Sequence, residues 1–252
     1  MPYFNFDRRN IYYDQCGAGG DLLLLHGNSV SAKMFESEIM YYSKYFKVTY
    51  FDYVGVGRSE RVAKFNTDFW NYNAKAAYTL LKMLGINKTK VIGTSGGAIV
   101  GMNLGIIAPE MFDMFIGDSF FGEYISKSEA DNIKIGRTKA KSQILSAAFW
   151  QKMHGDDWET IVDMDIQLMI DVAYGGINPI VGSPKYLDCP TLFTASTEDE
   201  LIPNIDDRLN KLAAKMPNCD VFITNTGKHP LMITQKPTFR ALAIEFFNRN
   251  KR

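Results

Sequence analysis

Histidine and cysteine are scarce in this 252-residue chain, at three each. The histidines are His26, His154 and His229, and the cysteines are Cys16, Cys189 and Cys219, with no Cys-x-x-Cys pair. A zinc or His-rich metal site is hard to assemble from so few ligands, so no metal and no other cofactor is expected. An odd, scattered set of thiols points to a reducing cytoplasm and not to a disulfide framework. Charge of one sign is also missing. Lys plus Arg and Asp plus Glu are 28 each, which leaves no basic excess for a nucleic-acid partner. No apolar run approaches the length needed to span a bilayer. The first residues, Met1 to Asp7, lack the basic stretch and apolar core of a signal peptide, so no membrane partner and a cytoplasmic location are expected. What the chain has is a 46% hydrophobic content, enough to fill the core of one large domain.

Short apolar runs with turn residues at their ends recur along the sequence. Residues 3–6 and 11–13 read as two strands around Asp7-Arg8-Arg9-Asn10. Leu22 to Leu25 form an unbroken apolar run between glycines, which suits a strand buried on both faces of a parallel sheet. Residues 47–52, 89–93, 114–117, 191–195 and 220–224 have the same character. Between them lie helical patterns at 31–45, 68–84, 96–107, 207–216 and 237–248. Strands alternating with helices predict an α/β fold, a mostly parallel twisted sheet with helices on both faces. Residues 122–185 break the alternation. Helical patterns at 138–153 and 158–173 predict a helical insertion between two halves of a core, 1–121 and 186–252.

Gly93-Thr94-Ser95-Gly96-Gly97 follows a strand and opens a helix. A sharp strand-to-helix turn exposes the hydroxyl of a nucleophilic serine, and its crowded backbone requires small neighbours. Gly97, Gly101 and Gly105 then leave one helix face bare, able to press on the sheet. A serine needs a base. His229 lies just after the last strand, in a loop that overhangs the same sheet edge. His26 reads as a structural, hydrogen-bonding histidine. His154 reads as a solvated residue of the insertion that could contact substrate. A carboxylate must orient the base, and Glu198, Asp199 and Glu200 all follow the strand at 191–195. Spacing alone does not choose among them.

The order serine, acid, histidine resembles that of the α/β-hydrolase superfamily, over nearly the whole chain except the insertion. Leu25-His26-Gly27-Asn28 is similar to its oxyanion loop. Asp52-Tyr53-Val54-Gly55-Val56-Gly57-Arg58-Ser59 is similar to its Asp-x-x-Gly-x-Gly-x-Ser turn, read as scaffolding. Asp199 with Pro203, and Gly227-x-His229, resemble its acid and histidine loops. The resemblance implies catalytic Ser95, Asp199 and His229, with the N–H groups of Asn28 and Gly96 as the oxyanion hole. It implies a serine esterase acting on a small carboxylic ester. An amidase, thioesterase or acyltransferase, or a non-catalytic ligand receptor, remains open. Ser95 in place of an aspartate speaks against haloalkane dehalogenase chemistry. His26-Gly27-Asn28-Ser29 departs from the glycine- and proline-rich loops of iminopeptidases and carbon–carbon bond hydrolases.

In such folds an insertion after the sixth strand commonly forms a helical cap. Phe149, Trp150, Met153, Trp158, Met164 and Met169 are the aromatic and methionine residues expected to line an apolar substrate pocket there, Trp150, Met153 and Trp158 foremost. Asp156, Asp157, Glu159, Asp163 and Asp165, with no basic residue among them, read as a solvated face.

Overall fold

The computed structural model describes residues 2–249. Met1 and residues 250–252, the outermost positions of the core assigned from sequence, lie outside the described residues. All eight expected strands form one sheet: β1 (Tyr3–Phe6), β2 (Arg9–Cys16), β3 (Gly20–Leu25), β4 (Phe46–Phe51), β5 (Thr89–Thr94), β6 (Phe112–Asp118), β7 (Thr191–Ser196) and β8 (Cys219–Thr224). Their order is β1-β2-β4-β3-β5-β6-β7-β8. β1 pairs antiparallel with β2 and β2 with β4, while β3 to β8 run parallel. The parallel strands therefore end at one edge, where His26, Ser95, Ser119, Thr197 and Asn225 each begin a loop or helix.

The nine α-helices among the described residues are α1 (Glu36–Tyr42), α2 (Phe69–Met83), α3 (Gly96–Ile107), α4 (Lys127–Lys141), α5 (Ile144–His154), α6 (Trp158–Gly175), α7 (Ile205–Ala213), α8 (Leu231–Thr234) and α9 (Lys236–Arg249). Both sheet faces are covered. Leu23 and Leu25 join α2 and α3 in one apolar cluster, and Leu22 and Leu24 join Tyr42 of α1 and Phe239 and Phe246 of α9 in the other. This is why the run carries no polar residue. All four leucines are fully buried, each contributing about 1.5 to 3 kcal/mol as an upper bound. The bare face of α3 does its expected work. A Cβ on Gly97 would stand 2.0 Å from the Leu25 carbonyl oxygen, so only glycine lets α3 lie this close to β3.

The insertion holds three helices, not two. The helix expected at 138–153 is the end of α4 and all of α5, broken at Ser142, whose hydroxyl bonds the Lys139 carbonyl 2.8 Å away. α4 begins earlier, at a capping box in which the Ser126 side chain and the Glu129 carboxylate each bond the other's backbone N–H. That Ser-x-x-Glu pattern stood in the sequence. Likewise the helix expected from residue 31 is a 3-10 turn, Ala32–Phe35, followed by α1. The Ser31 hydroxyl does not cap it but donates to the Met153 carbonyl.

α5 is pinned to the sheet by its last carbonyls, which a helix cannot satisfy internally. Ser31, Lys33 and Arg61 donate to the carbonyls of Met153, Lys152 and His154. α4 is held at its start by Arg208 of α7, 2.5 Å from Glu129. Among the described residues no helix is long and apolar enough to cross a membrane.

Candidate active site

The turn from β5 into α3 places Ser95 at φ 53°, a region that costs a non-glycine residue about 1 to 3 kcal/mol. The strain is held by the Ser95 N–H, which donates 2.7 Å to the Asp118 carbonyl on the neighbouring strand. The result is an Oγ standing clear of the backbone. His229 Nε2 lies 2.9 Å from Ser95 Oγ, and His229 Nδ1 lies 2.8 Å from Asp199 Oδ2. Asp199 Oδ1 accepts the N–H groups of Leu201 and Ile202, each at 3.0 Å, which fixes the carboxylate's angle. With Asp199 as acceptor, Nδ1 carries the imidazole proton and Nε2 is free to accept from the serine.

The structure thus brings Ser95, His229 and Asp199 into one chain of hydrogen bonds. The other two acids do different work. Glu200 accepts the His229 backbone N–H at 3.1 Å, and Glu198 is exposed, 3.7 Å from Lys228. Gly96 occupies the first position of α3, where its N–H has no partner within the helix. Asn28 abuts it: a Cβ on Gly96 would stand within bonding range of Asn28 Oδ1. The Asn28 side chain is fixed from both sides. Trp70 Nε1 donates to its oxygen at 3.0 Å, and its amide donates 2.7 Å to Asp165 of α6.

His26 is structural, as the sequence indicates. It stacks on Tyr53, donates through Nδ1 to the Gly27 carbonyl and accepts the Tyr53 N–H at Nε2. His154 is a correction. It is buried, its Nδ1 accepts the Gly57 N–H and its Nε2 meets the Ser29 carbonyl, so it locks the insertion to the sheet loops and is not solvated. The Asp52 turn is scaffolding: the Asp52 carboxylate accepts from Ala32 N, Arg58 N and Arg58 Nε.

A cavity of about 600 Å³ opens over Ser95 and His229. Its floor includes Gly27, Asn28 and Gly96, and its walls are mostly apolar, among them Ile99, Phe121, Ile133, Phe149, Trp150 and Met169. Of the six expected pocket residues, Phe149, Trp150 and Met169 reach the wall, and Met153, Trp158 and Met164 do not. Met153 is buried beneath Ser31, drawn in with the pinned end of α5. Trp158 stacks behind Trp150 with ring centroids 5.7 Å apart, so it buttresses the wall without forming it. The acidic face is corrected in part. Asp165 is buried and paired with Arg137, while Asp157 and Asp163 pair with Arg61 and Lys141 near the surface. Sequence reasoning missed Arg137, Asp165 and Trp70. Asp165 stands at helical spacing from the buried Ile161, Val162 and Leu168, a signal that it shares their face.

Asp118 was also missed. Its buried carboxylate accepts from Thr94, Thr194, Ser119 and the Met232 N–H, tying together β5, β6, β7 and α8 beneath the site. Burial pushes it up to about 6 from 3.8. Burial pushes His26 the other way, from 6.5 to about 4. The two have opposite effects on stability. The fold refuses the His26 proton that the unfolded chain accepts, so this contribution is present above pH 6.5 and lost as pH falls toward 4. The fold holds the Asp118 proton more tightly than the unfolded chain does. That contribution is full below pH 3.8 and lost as pH rises through about 6. Asp118→Asn removes the second contribution and leaves the first. Its stability should fall more steeply than the wild type's between pH 6 and pH 4, by about 2 kcal/mol, as read from urea unfolding at each pH. Parallel profiles would contradict the assignment.

No family model matches the chain. The provisionally named carbamate hydrolase RutD of Caulobacter sp. (strain K31) is 22% identical over 228 residues, 81% of each chain. An alpha/beta hydrolase enzyme from a Medee basin deep-sea metagenome library superposes with a TM-score of 0.76 at 19% identity, over 100% of this chain and 98% of that one. A serine hydrolase of the hydrocarbon-degrading bacterium Cycloclasticus zankles gives 0.76 at 16% identity, over 98% and 97%.

Proposed function

We propose that this protein, whose fold is that of the α/β-hydrolase superfamily, is a serine hydrolase that cleaves a small carboxylic ester through an acyl-enzyme. The reading is carried by one observation: Ser95, His229 and Asp199 form a continuous hydrogen-bond chain, at 2.9 and 2.8 Å, at the floor of a mostly apolar cavity. His229 takes the Ser95 proton as Oγ attacks the ester carbonyl, then gives it to the leaving alcohol. Asp199 keeps the imidazole in the required tautomer and stabilises its charge. The N–H groups of Gly96 and Asn28 meet the developing oxyanion, each worth a few kcal/mol in the transition state. Water entering the same site releases the acid. The helices of residues 122–185 act as the cap that shields this chemistry.

A fluorophosphonate probe tests the proposal against a non-catalytic receptor. An activated serine is labelled at Ser95, and an unlabelled protein would leave only the binding role. A screen of p-nitrophenyl esters of rising chain length, with amides and thioesters alongside, then fixes the preferred bond. A carbamate belongs in that screen because the RutD relative spans 81% of the chain. Since every named role falls to a side chain or backbone N–H, hydrolysis should survive dialysis against EDTA. Loss of activity restored by zinc or manganese would refute the mechanism.

A further inference from the structure

The α4 wall of the cavity carries two features that the hydrolytic chemistry does not use. Gly136 is the tenth of the fifteen residues of α4, and it faces the cavity. Glycine weakens a helix interior relative to alanine. No close approach accounts for it, since a Cβ there would meet nothing within 4 Å. The absence of a side chain leaves that part of the cavity open. Beside it stands Arg137, also on the cavity wall and mostly buried.

Arg137 Nη1 pairs with Asp165 Oδ2. The other Asp165 oxygen takes the Asn28 amide. A guanidinium carries five N–H donors, and among the described residues Asp165 is the only acceptor that Arg137 meets. The surrounding wall is mostly apolar, with Ile133, Ala140, Trp150 and Met169, and Asn132 and Ser146 as its neutral polar members. Donors facing an apolar cavity favour a ligand that brings an acceptor in place of water. Asp165 already balances the guanidinium charge, so a carboxylate on the ligand would enter without a counter-charge of its own. A carbonyl suits the site better. Its place is set as well: Arg137 is two hydrogen bonds from Asn28, through Asp165, and Asn28 abuts the serine turn.

We infer that the substrate carries, close to its scissile ester, a neutral carbonyl acceptor that occupies the space above Gly136 and takes a hydrogen bond from Arg137. This rests on the serine-hydrolase reading and names its substrate class. The test compares matched ester pairs, one with an amide carbonyl two to four atoms from the scissile carbonyl and one with methylenes in its place. One pair varies the acyl side and one the alcohol side, and a carboxylate-bearing ester of equal length is added. Wild-type kcat/KM should favour the amide member of at least one pair by about ten-fold or more, the low end for a hydrogen bond from a charged donor. Arg137→Lys keeps the charge partner of Asp165 and should bring that ratio to about one. Gly136→Leu fills the open space and should cost the amide ester far more than p-nitrophenyl acetate. Gly136→Ala, a better helix former, controls for folding.

Equal rates within both pairs, a carboxylate ester preferred over the amide, or a preference that survives Arg137→Lys would overturn the inference. Fluorophosphonate labelling separates the two levels. A wild type that is not labelled fails as a serine hydrolase, whereas one that is labelled but indifferent to the acceptor fails only here.

Discussion

Ser95→Ala is expected to lower kcat on a p-nitrophenyl ester by about a million-fold while leaving the fold unchanged. The size of the loss follows from the geometry. Ser95 Oγ is the atom 2.9 Å from His229 Nε2, and among the described residues no other hydroxyl or thiol bonds that nitrogen. Residual turnover should remain above the uncatalysed rate, because Gly96, Asn28 and the cavity still bind and polarise the ester. Stability should hold. Alanine keeps the Cβ that already sits at φ 53°, and the tie from the Ser95 N–H to the Asp118 carbonyl is a backbone bond. The measurements are kcat for the purified variant and its melting temperature beside the wild type's. A variant that keeps most of the wild-type rate with an unchanged melt would falsify the nucleophile assignment.

Asp199→Asn should cost about ten-thousand-fold in kcat. The asparagine oxygen can still accept from the Leu201 and Ile202 N–H groups, so the loop keeps its shape. Its amide nitrogen then faces His229 Nδ1 and donates where the carboxylate accepted. The imidazole proton moves to Nε2, and the ring can no longer take one from Ser95. The neighbouring acids supply the contrast. Glu198→Gln alters only an exposed pair with Lys228, and Glu200→Gln keeps an oxygen for the His229 N–H, so each should change kcat by no more than a few-fold. A dead Glu198 or Glu200 variant beside an active Asp199→Asn would move the acid.

Much of this was legible before any coordinates because the signals are local. Leu22 to Leu25, bounded by glycines, suit a strand with both faces covered, since four successive leucines leave no side for water, and all four are buried in β3. The Gly-x-Ser-x-Gly turn, the short final loop bearing His229 and the acids after β7 each lie at a strand's carboxyl end, and a parallel sheet gathers such ends at one edge. Chain order and strand periodicity therefore indicated the sheet and the edge that carries Ser95, His229 and the acids after β7, with the resemblance choosing Asp199.

What only the tertiary structure decided lies where partners are distant in sequence. Met153 and Trp158 look like pocket residues by composition, yet the carbonyl anchors from Ser31, Lys33 and Arg61 turn the end of α5 inward with Met153, and Trp158 stacks behind Trp150, which reaches the wall with Phe149. His154 looks solvated until the Asp52 turn and the Ser29 loop close on both its nitrogens. Asp165 reads as one of five surface acids, although burial beside Arg137 and Asn28 makes it the link between the α4 wall and the serine turn. A residue's burial depends on which element packs over it. The sequence encodes that packing only through the sum of contacts between segments 28 to 137 residues apart, which no local pattern carries.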